Sequence, residues 1–245
     1  MEWSIPPASG VELGDREVHV WRAHLTSENP DRWRNLLSPD ERTRADRFKF
    51  SRDRDCFTVA RGILRTLLGR YLRRSPRAIK FAYGEYGKPE LADHPTSTIH
   101  FNLSHSGEMA LWAVGRHAPV GIDIERVRSD YPGEAIAKRF FSAFECEQLD
   151  QIPNALKSEA FFRCWTRKEA FVKALGGGLA GVPLDQFDVE LRGDRPAALL
   201  ATRWNPKEAE RWTLLNLSVH AGYCAAVIAR CGTSWQCWDW DGERG

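Results

Sequence analysis

The chain has 245 residues, 42% of them hydrophobic and 28% charged, with a formal net charge of +2. That composition suits a globular protein with a real core, in one large or two small domains, and excludes disorder over most of its length. Overall charge says little about partners, but residues 42–54 concentrate Arg42, Arg44, Arg47, Lys49, Arg52 and Arg54 against only Asp46 and Asp53. In chain order, the first helix signal is Ser38-Pro39-Asp40-Glu41, a cap, a first-turn proline and the acid of a capping box. A short basic helix follows it. From Asp53 onward Phe57, Ala60, Ile63, Leu64, Leu67, Leu68 and Tyr71 recur at helical spacing, and this longer helix stops before Pro76. The runs IKFAY, TIHFNLS, MALWAV and PVGIDIE read as short strands separated by Gly, Pro and Asn. Helical patterning resumes near Glu134 and again over 157–175, where Gly176-Gly177-Gly178 ends it. FDVEL, RWTLLNLSV and YCAAVIA are the last strand-like pieces.

The order helix, strands, helix, strands predicts an α+β protein of two similar halves joined near Arg116 to Pro119, a first half over 1–118 and a second over 119–245 with a short tail. No run approaches the ~18 apolar residues of a membrane span, and MEWSIPPASG lacks a basic segment followed by an apolar one. A soluble, cytoplasmic protein with no membrane partner is expected. Six scattered cysteines without a C-x-x-C pair argue for reduced thiols rather than a zinc site or a disulfide framework.

Four stretches carry candidate chemistry. In VGIDIERV, strand alternation turns Val120, Ile122 and Ile124 toward a core and sets Gly121, Asp123 and Glu125 on the opposite face. Two repelling neighbours there are either a solvated face or half of a Mg²⁺ site, since hard cations take oxygen ligands and share them with substrate phosphates. In WTRKEAFVKALGGG, Trp165, Glu169 and Lys173 share one stripe of a helix. Glu169 and Lys173 are either a surface ion pair or a third ligand, or base, beside a phosphate-holding lysine, with Lys168 a second cation close by. In IHFNLSHSG, a strand enters a polar turn in which Asn102, Ser104, His105 and Ser106 offer hydrogen-bonding groups. YGEYGKPE is a glycine-rich turn holding Lys88 before Pro89, or a nucleotide-contacting loop.

Together and in this order, the stretches resemble the Sfp-type 4'-phosphopantetheinyl transferases, over about Leu36 to Ala229. Gly121-Ile122-Asp123-Ile124-Glu125 is similar to the family's G-[IV]-D-x-E strand, and Trp165-Thr166-Arg167-Lys168-Glu169 with Lys173 to its W-[ST]-x-K-E-x-x-x-K helix. Gly87-Lys88-Pro89, Phe101-Asn102-x-Ser104-His105-Ser106 and KRFFSAFECEQL support the match. The resemblance implies two pseudosymmetric α+β halves with coenzyme A in the cleft between them, in a monomer. It implies transfer of the phosphopantetheine arm of coenzyme A to a serine of an apo acyl or peptidyl carrier protein, with release of adenosine 3',5'-bisphosphate. Asp123, Glu125 and Glu169 are then the Mg²⁺ ligands, and Glu169 also the base, directly or through a water. Lys173 and Lys168 lie near the phosphates, Arg44, Ser104 and His105 at the 3'-phosphate, Tyr83 to Lys88 along the adenine and phosphate side, and Asn102 in the same pocket. Glu41 stands where some members carry a lysine near the 3'-phosphate, and Glu145 matches a carboxylate of open role. The first thirty residues and the tail from Cys231 have no counterpart, and Trp238 and Trp240 are expected to pack onto the body.

Two other readings compete. A Mg²⁺-dependent phosphohydrolase would use the same carboxylates on a nucleotide without an acceptor protein. A protein that binds coenzyme A or carrier domains without turnover would have no need of Asp123, Glu125, Glu169 and Lys173 together. Nucleic acid is not an expected partner: Phe48 and Phe50 in the basic run fit helix packing, and no RRM, KH or zinc pattern is present.

Overall fold

The computed structural model describes residues 1–7, 10–92, 98–131 and 133–242. Strands are β1 Trp3–Ser4, β2 Glu17–His24, β3 Phe81–Tyr83, β4 Pro89–Leu91, β5 Ile99–Ser106, β6 Met109–Arg116, β7 Val120–Arg126, β8 Phe187–Val189, β9 Leu199–Thr202, β10 Trp212–Asn216, β11 Tyr223–Arg230 and β12 Ser234–Asp239. Helices are α1 Pro30–Arg34, α2 Pro39–Asp46, α3 Ser51–Leu72, α4 Gly133–Phe140, α5 Ala143–Asp150, α6 Asn154–Leu175 and α7 Gly178–Gly181. The fold is α+β. Each half sets one 22-residue helix, α3 or α6, against a sheet. One sheet has the order β1-β12-β2-β6-β5 and the other β10-β11-β7.

Strand alternation distributes the apolar side chains into three cores. On the first sheet Trp21, Ala23, Ala110, Trp112 and Val114 meet Ile63, Leu64 and Leu67 of α3. Their strand neighbours Val18, Val20, Leu111 and Ala113 face the other way and join Val120, Ile122, Ile124, Val227 and Ala229, so the middle core fuses the two sheets. Beyond it, Ala226 and Ile228 of β11 pack with Phe171, Ala170 and Ala174 of α6. With both sides of β7 covered, Asp123 is 3% exposed. The solvated-face reading of the Asp123 and Glu125 side of the strand is corrected: that side lies under α6.

Gly121 shows how close the helix comes. A Cβ there would stand 1.9 Å from the carbonyl oxygen of Ala170 and 2.6 Å from the amide nitrogen of Ala174. Both are backbone atoms of a helix, which cannot yield as a side-chain tip does. Gly121→Ala is therefore expected to destabilise the fold by about 3 kcal/mol or more, measured as a lower urea midpoint at an unchanged slope.

The tail departs from expectation. β12 pairs in parallel with β2, Trp235 opposite Val18 and Trp238 opposite Trp21, and β1 adds to its outer edge. Trp238 and Trp240 pack on the α3 core, as expected. The second half as read from sequence, 119–245, therefore loses β12 to the sheet of the first. Four of the six cysteines are buried and all six are free. Among the described residues no helix is long and apolar enough to cross a membrane.

Candidate active site

β5 and β7 run side by side in the same direction, bridged by side chains on alternate residues of β5. Asn102 Oδ1 accepts from the Ile122 amide at 2.9 Å, Ser104 Oγ donates to Asp123 Oδ1 at 2.7 Å and Ser106 Oγ donates to Glu125 Oε2 at 2.7 Å. The Arg126 amide in turn donates to Ser106 Oγ at 3.1 Å. One sequence run, N-x-S-x-S, thus staples the halves and grips both acids of the D-x-E strand.

From above, α6 delivers Lys173. Its ammonium lies 2.6 Å from Asp123 Oδ1 and 3.1 Å from Ser104 Oγ, so it serves the strand across the seam. Asp123 Oδ2 is buried and has no hydrogen-bond partner. Burial, then the Asp123 carboxylate, then Glu125, push Glu169 up to about 7 against the opposing effect of Lys173. Glu125 is raised by burial and by Asp123, with Ser106 and nearby cations opposing. Glu125 and Glu169 thus both feel the charge of Asp123 across the seam.

A cleft of about 280 Å³ opens at the seam, lined by Arg44, Phe57, Ala60, Arg61, Tyr83, Gly87, Pro89, Leu103, Ser104 and His105 of the first half and by Lys173 of the second. Arg44 rests over the Phe57 ring at 5.4 Å. His105 is held below its ordinary pKa by the flanking protein and then by Lys173, with Arg44 adding to the effect. Lys88 donates to the carbonyl of Lys173 at 2.6 Å, and burial lowers its pKa. The cleft wall carries the cations Arg44, Arg61 and Lys173, of which Arg61 is paired with Glu41 and Lys173 with Asp123.

Arg61 was not legible in the sequence. Its guanidinium sits 2.7 Å from Glu41, lies 4.4 Å over the Phe81 ring and donates to the Tyr83 hydroxyl. Glu41 is 1% exposed and also accepts from Arg65 at 2.6 Å and from the Ser38 amide at 2.9 Å, closing the expected capping box. The acid that stands in place of a lysine thus contributes no charge to the cleft but orients an arginine toward it.

Four of the residues expected to bind coenzyme A do not line the cleft: Lys88 and Asp123, which border its lining residues Lys173 and Ser104, and Lys168 and Asn102, which turn elsewhere. Lys168 is fully buried, paired with Glu145 at 2.7 Å and donating to the carbonyls of Leu184 and Phe187, each at 2.7 Å. Five positions separate it from Lys173, about 140° around the helix, so the two lysines point to different sides of α6. The phosphate role of Lys168 is corrected to an internal one, and Glu145 gains a role as its counterion. Asn102 is 5% exposed and is engaged by the Ile122 amide, so it sits in the seam rather than on the cleft wall.

Residues 119–228 match the family model of the 4'-phosphopantetheinyl transferase superfamily, and residues 24–116 match that of the 4'-phosphopantetheinyl transferase N-terminal region. The 4'-phosphopantetheinyl transferase HetI of Nostoc is 41% identical over 236 residues, covering 95% of each chain. The chain belongs to the 4'-phosphopantetheinyl transferase family. The 4'-phosphopantetheinyl transferase Sfp of Bacillus subtilis is 35% identical over 205 residues, 84% of this chain and 87% of its own. A crystal structure of Thermotoga maritima holo-[acyl-carrier-protein] synthase covers 46% of the chain and 62% of its own length at 22% identity, with a TM-score of 0.37.

As they stand, no three acidic, histidine or cysteine side chains among the described residues form a group that encloses a metal ion. The donors nevertheless fit a hard divalent cation: they are all carboxylate oxygens, and Asp123 Oδ2 is a buried acceptor without a donor.

Proposed function

We propose that this transferase moves the 4'-phosphopantetheine arm of coenzyme A onto a serine of an apo acyl or peptidyl carrier protein and releases adenosine 3',5'-bisphosphate. The observation that supports this reading is buried Asp123, one oxygen held by Lys173 and Ser104, which both line the cleft, and the other oxygen buried without a hydrogen-bond partner. Asp123, Glu125 and Glu169 would hold Mg²⁺, which would supply charge neutralisation for the pyrophosphate.

The residues of the chain divide the remaining work. Arg44 and His105 bind the 3'-phosphate, while Tyr83 and Lys88 border the nucleotide side. Lys173 orients the pyrophosphate. Glu169 takes the proton of the serine hydroxyl as its oxygen bonds to the β-phosphorus and the bond from that phosphorus to the bridging oxygen breaks. Phosphoryl transfer rests mainly on positioning and charge neutralisation, so a base, cations and an enclosed seam provide most of what the reaction needs.

The decisive experiment is mass spectrometry of an apo carrier protein incubated with coenzyme A, Mg²⁺ and the enzyme. A gain of one phosphopantetheine supports transfer. Coenzyme A cleavage with an unchanged carrier would instead indicate a hydrolase, and neither change a binder. For the 3'-phosphate side, His105→Ala is expected to raise the KM for coenzyme A about tenfold with kcat little changed. A wild-type KM in that variant would remove His105 from the nucleotide site.

A further inference from the structure

The turn between β3 and β4 crosses from one half of the molecule to the other. It is closed by the Gly84 amide on the Lys88 carbonyl at 3.1 Å and by the Gly87 amide on the Gly84 carbonyl at 2.9 Å, with Gly87 at φ +75°. At its base Tyr83 is tied to Arg61 of α3. At its apex the contacts belong to the other half. Tyr86 covers the glycine segment that follows α6: a Cβ on Gly178 would lie 2.8 Å from the Tyr86 Cβ and 2.9 Å from its Cγ, and one on Gly181 would lie 3.5 Å from its hydroxyl. Two residues on, Lys88 places its ammonium 2.6 Å from the carbonyl of Lys173.

These contacts explain more of Gly176-Gly177-Gly178 than a helix stop requires. Gly176 is the left-handed cap at φ +79°. Gly178 is also left-handed, at φ +56°, and leaves the space that the Tyr86 side chain fills. Lys173 meanwhile sends its ammonium to Asp123. The residue that grips the acid strand therefore has its own backbone braced from the opposite half.

We propose that Tyr86 and Lys88 form a clasp that joins the two halves and so holds in place the turn whose Gly87 and Pro89 line the cleft, with Gly178 as the seat for Tyr86. Tyr86 is a positioning residue. The proposal rests on reading the cleft as the coenzyme A site. Tyr86 is 45% exposed, so its removal opens little core.

The test uses steady-state transfer by the full-length enzyme, with coenzyme A as the varied substrate, on Tyr86→Ala, Gly178→Ala and the double variant. Each single change is expected to raise the KM for coenzyme A about tenfold with kcat within about threefold, because the Lys173 ammonium keeps its separate hold on Asp123. The double variant should be no worse than the worse single, since both changes break one contact. Fully multiplicative effects, or a KM unchanged in both singles, would overturn the clasp. A purely structural role would lower kcat and melting temperature together and leave KM alone. Amide exchange gives a readout independent of activity: Tyr86→Ala should speed exchange over 176–182 about tenfold or more while leaving β7 protected. Unchanged protection over 176–182 would overturn the clasp as well. A wild-type enzyme that leaves the carrier unmodified defeats the transferase reading alone, and the exchange result still decides the clasp.

Discussion

Asp123→Asn is expected to lower kcat for phosphopantetheine transfer by about a thousandfold or more, the scale of losing a central electrostatic contact in a water-excluded site. The substitution keeps the size of the side chain and removes the charge on which Lys173 and Ser104 converge. It also relieves repulsion, because Asp123 raises the pKa of both Glu125 and Glu169. The melting temperature should accordingly hold steady or rise in the absence of metal while activity collapses. Mass spectrometry of the carrier paired with thermal unfolding checks both halves of the expectation. Turnover within tenfold of wild type would remove the seam from the chemistry.

Lys168→Met should produce the opposite pattern. The lysine and Glu145 are each fully buried, and Glu145 further accepts from the amides of Ser142 at 3.0 Å and Val189 at 2.9 Å. Removing one partner leaves an anion in the core and strips two carbonyls of their donor, a loss of about 3–5 kcal/mol. Denaturant unfolding should show that loss, and the folded fraction should keep its KM for coenzyme A. A stable variant with weakened coenzyme A binding would restore a phosphate role for Lys168.

Much of the site was readable because its residues lie on regular elements whose period fixes what they share. Alternation put Asp123 and Glu125 on one side of β7, and the four-residue step put Glu169 and Lys173 on one side of α6. Lys168 was misplaced since adjacency to a functional residue carries no direction: one position along a helix turns a side chain by about 100°. Asn102 was misplaced for a different reason. A carboxamide can serve a ligand or a backbone amide equally well, and only the parallel approach of β5 to β7 decides for Ile122. Arg61 was not readable because its orientation is fixed by Glu41, twenty positions away in sequence, a pairing with no local trace.

β2 and β12 escaped notice in the same way, as non-local partners. EVHVWRAH and SWQCWD lie at opposite ends of the chain, and they meet only as the parallel pair β2 and β12. The apparent two-part plan of the sequence is real for the helices and for the strands between them. It fails for the tail because parallel pairing needs a long crossover, and here the crossover is nearly the whole chain.

That pairing makes the molecule a closed loop in space. Trp3 is matched with Cys237, and β12 lies between β1 and β2, so the first and last strands lock beside each other. A fragment cut at the apparent midpoint would lack the strand that covers one side of β2 and would present a bare, apolar edge to other copies. The halves are therefore not portable modules. The sequence is instead suited to being opened elsewhere, with its ends joined by a short linker and a new start placed in a surface turn.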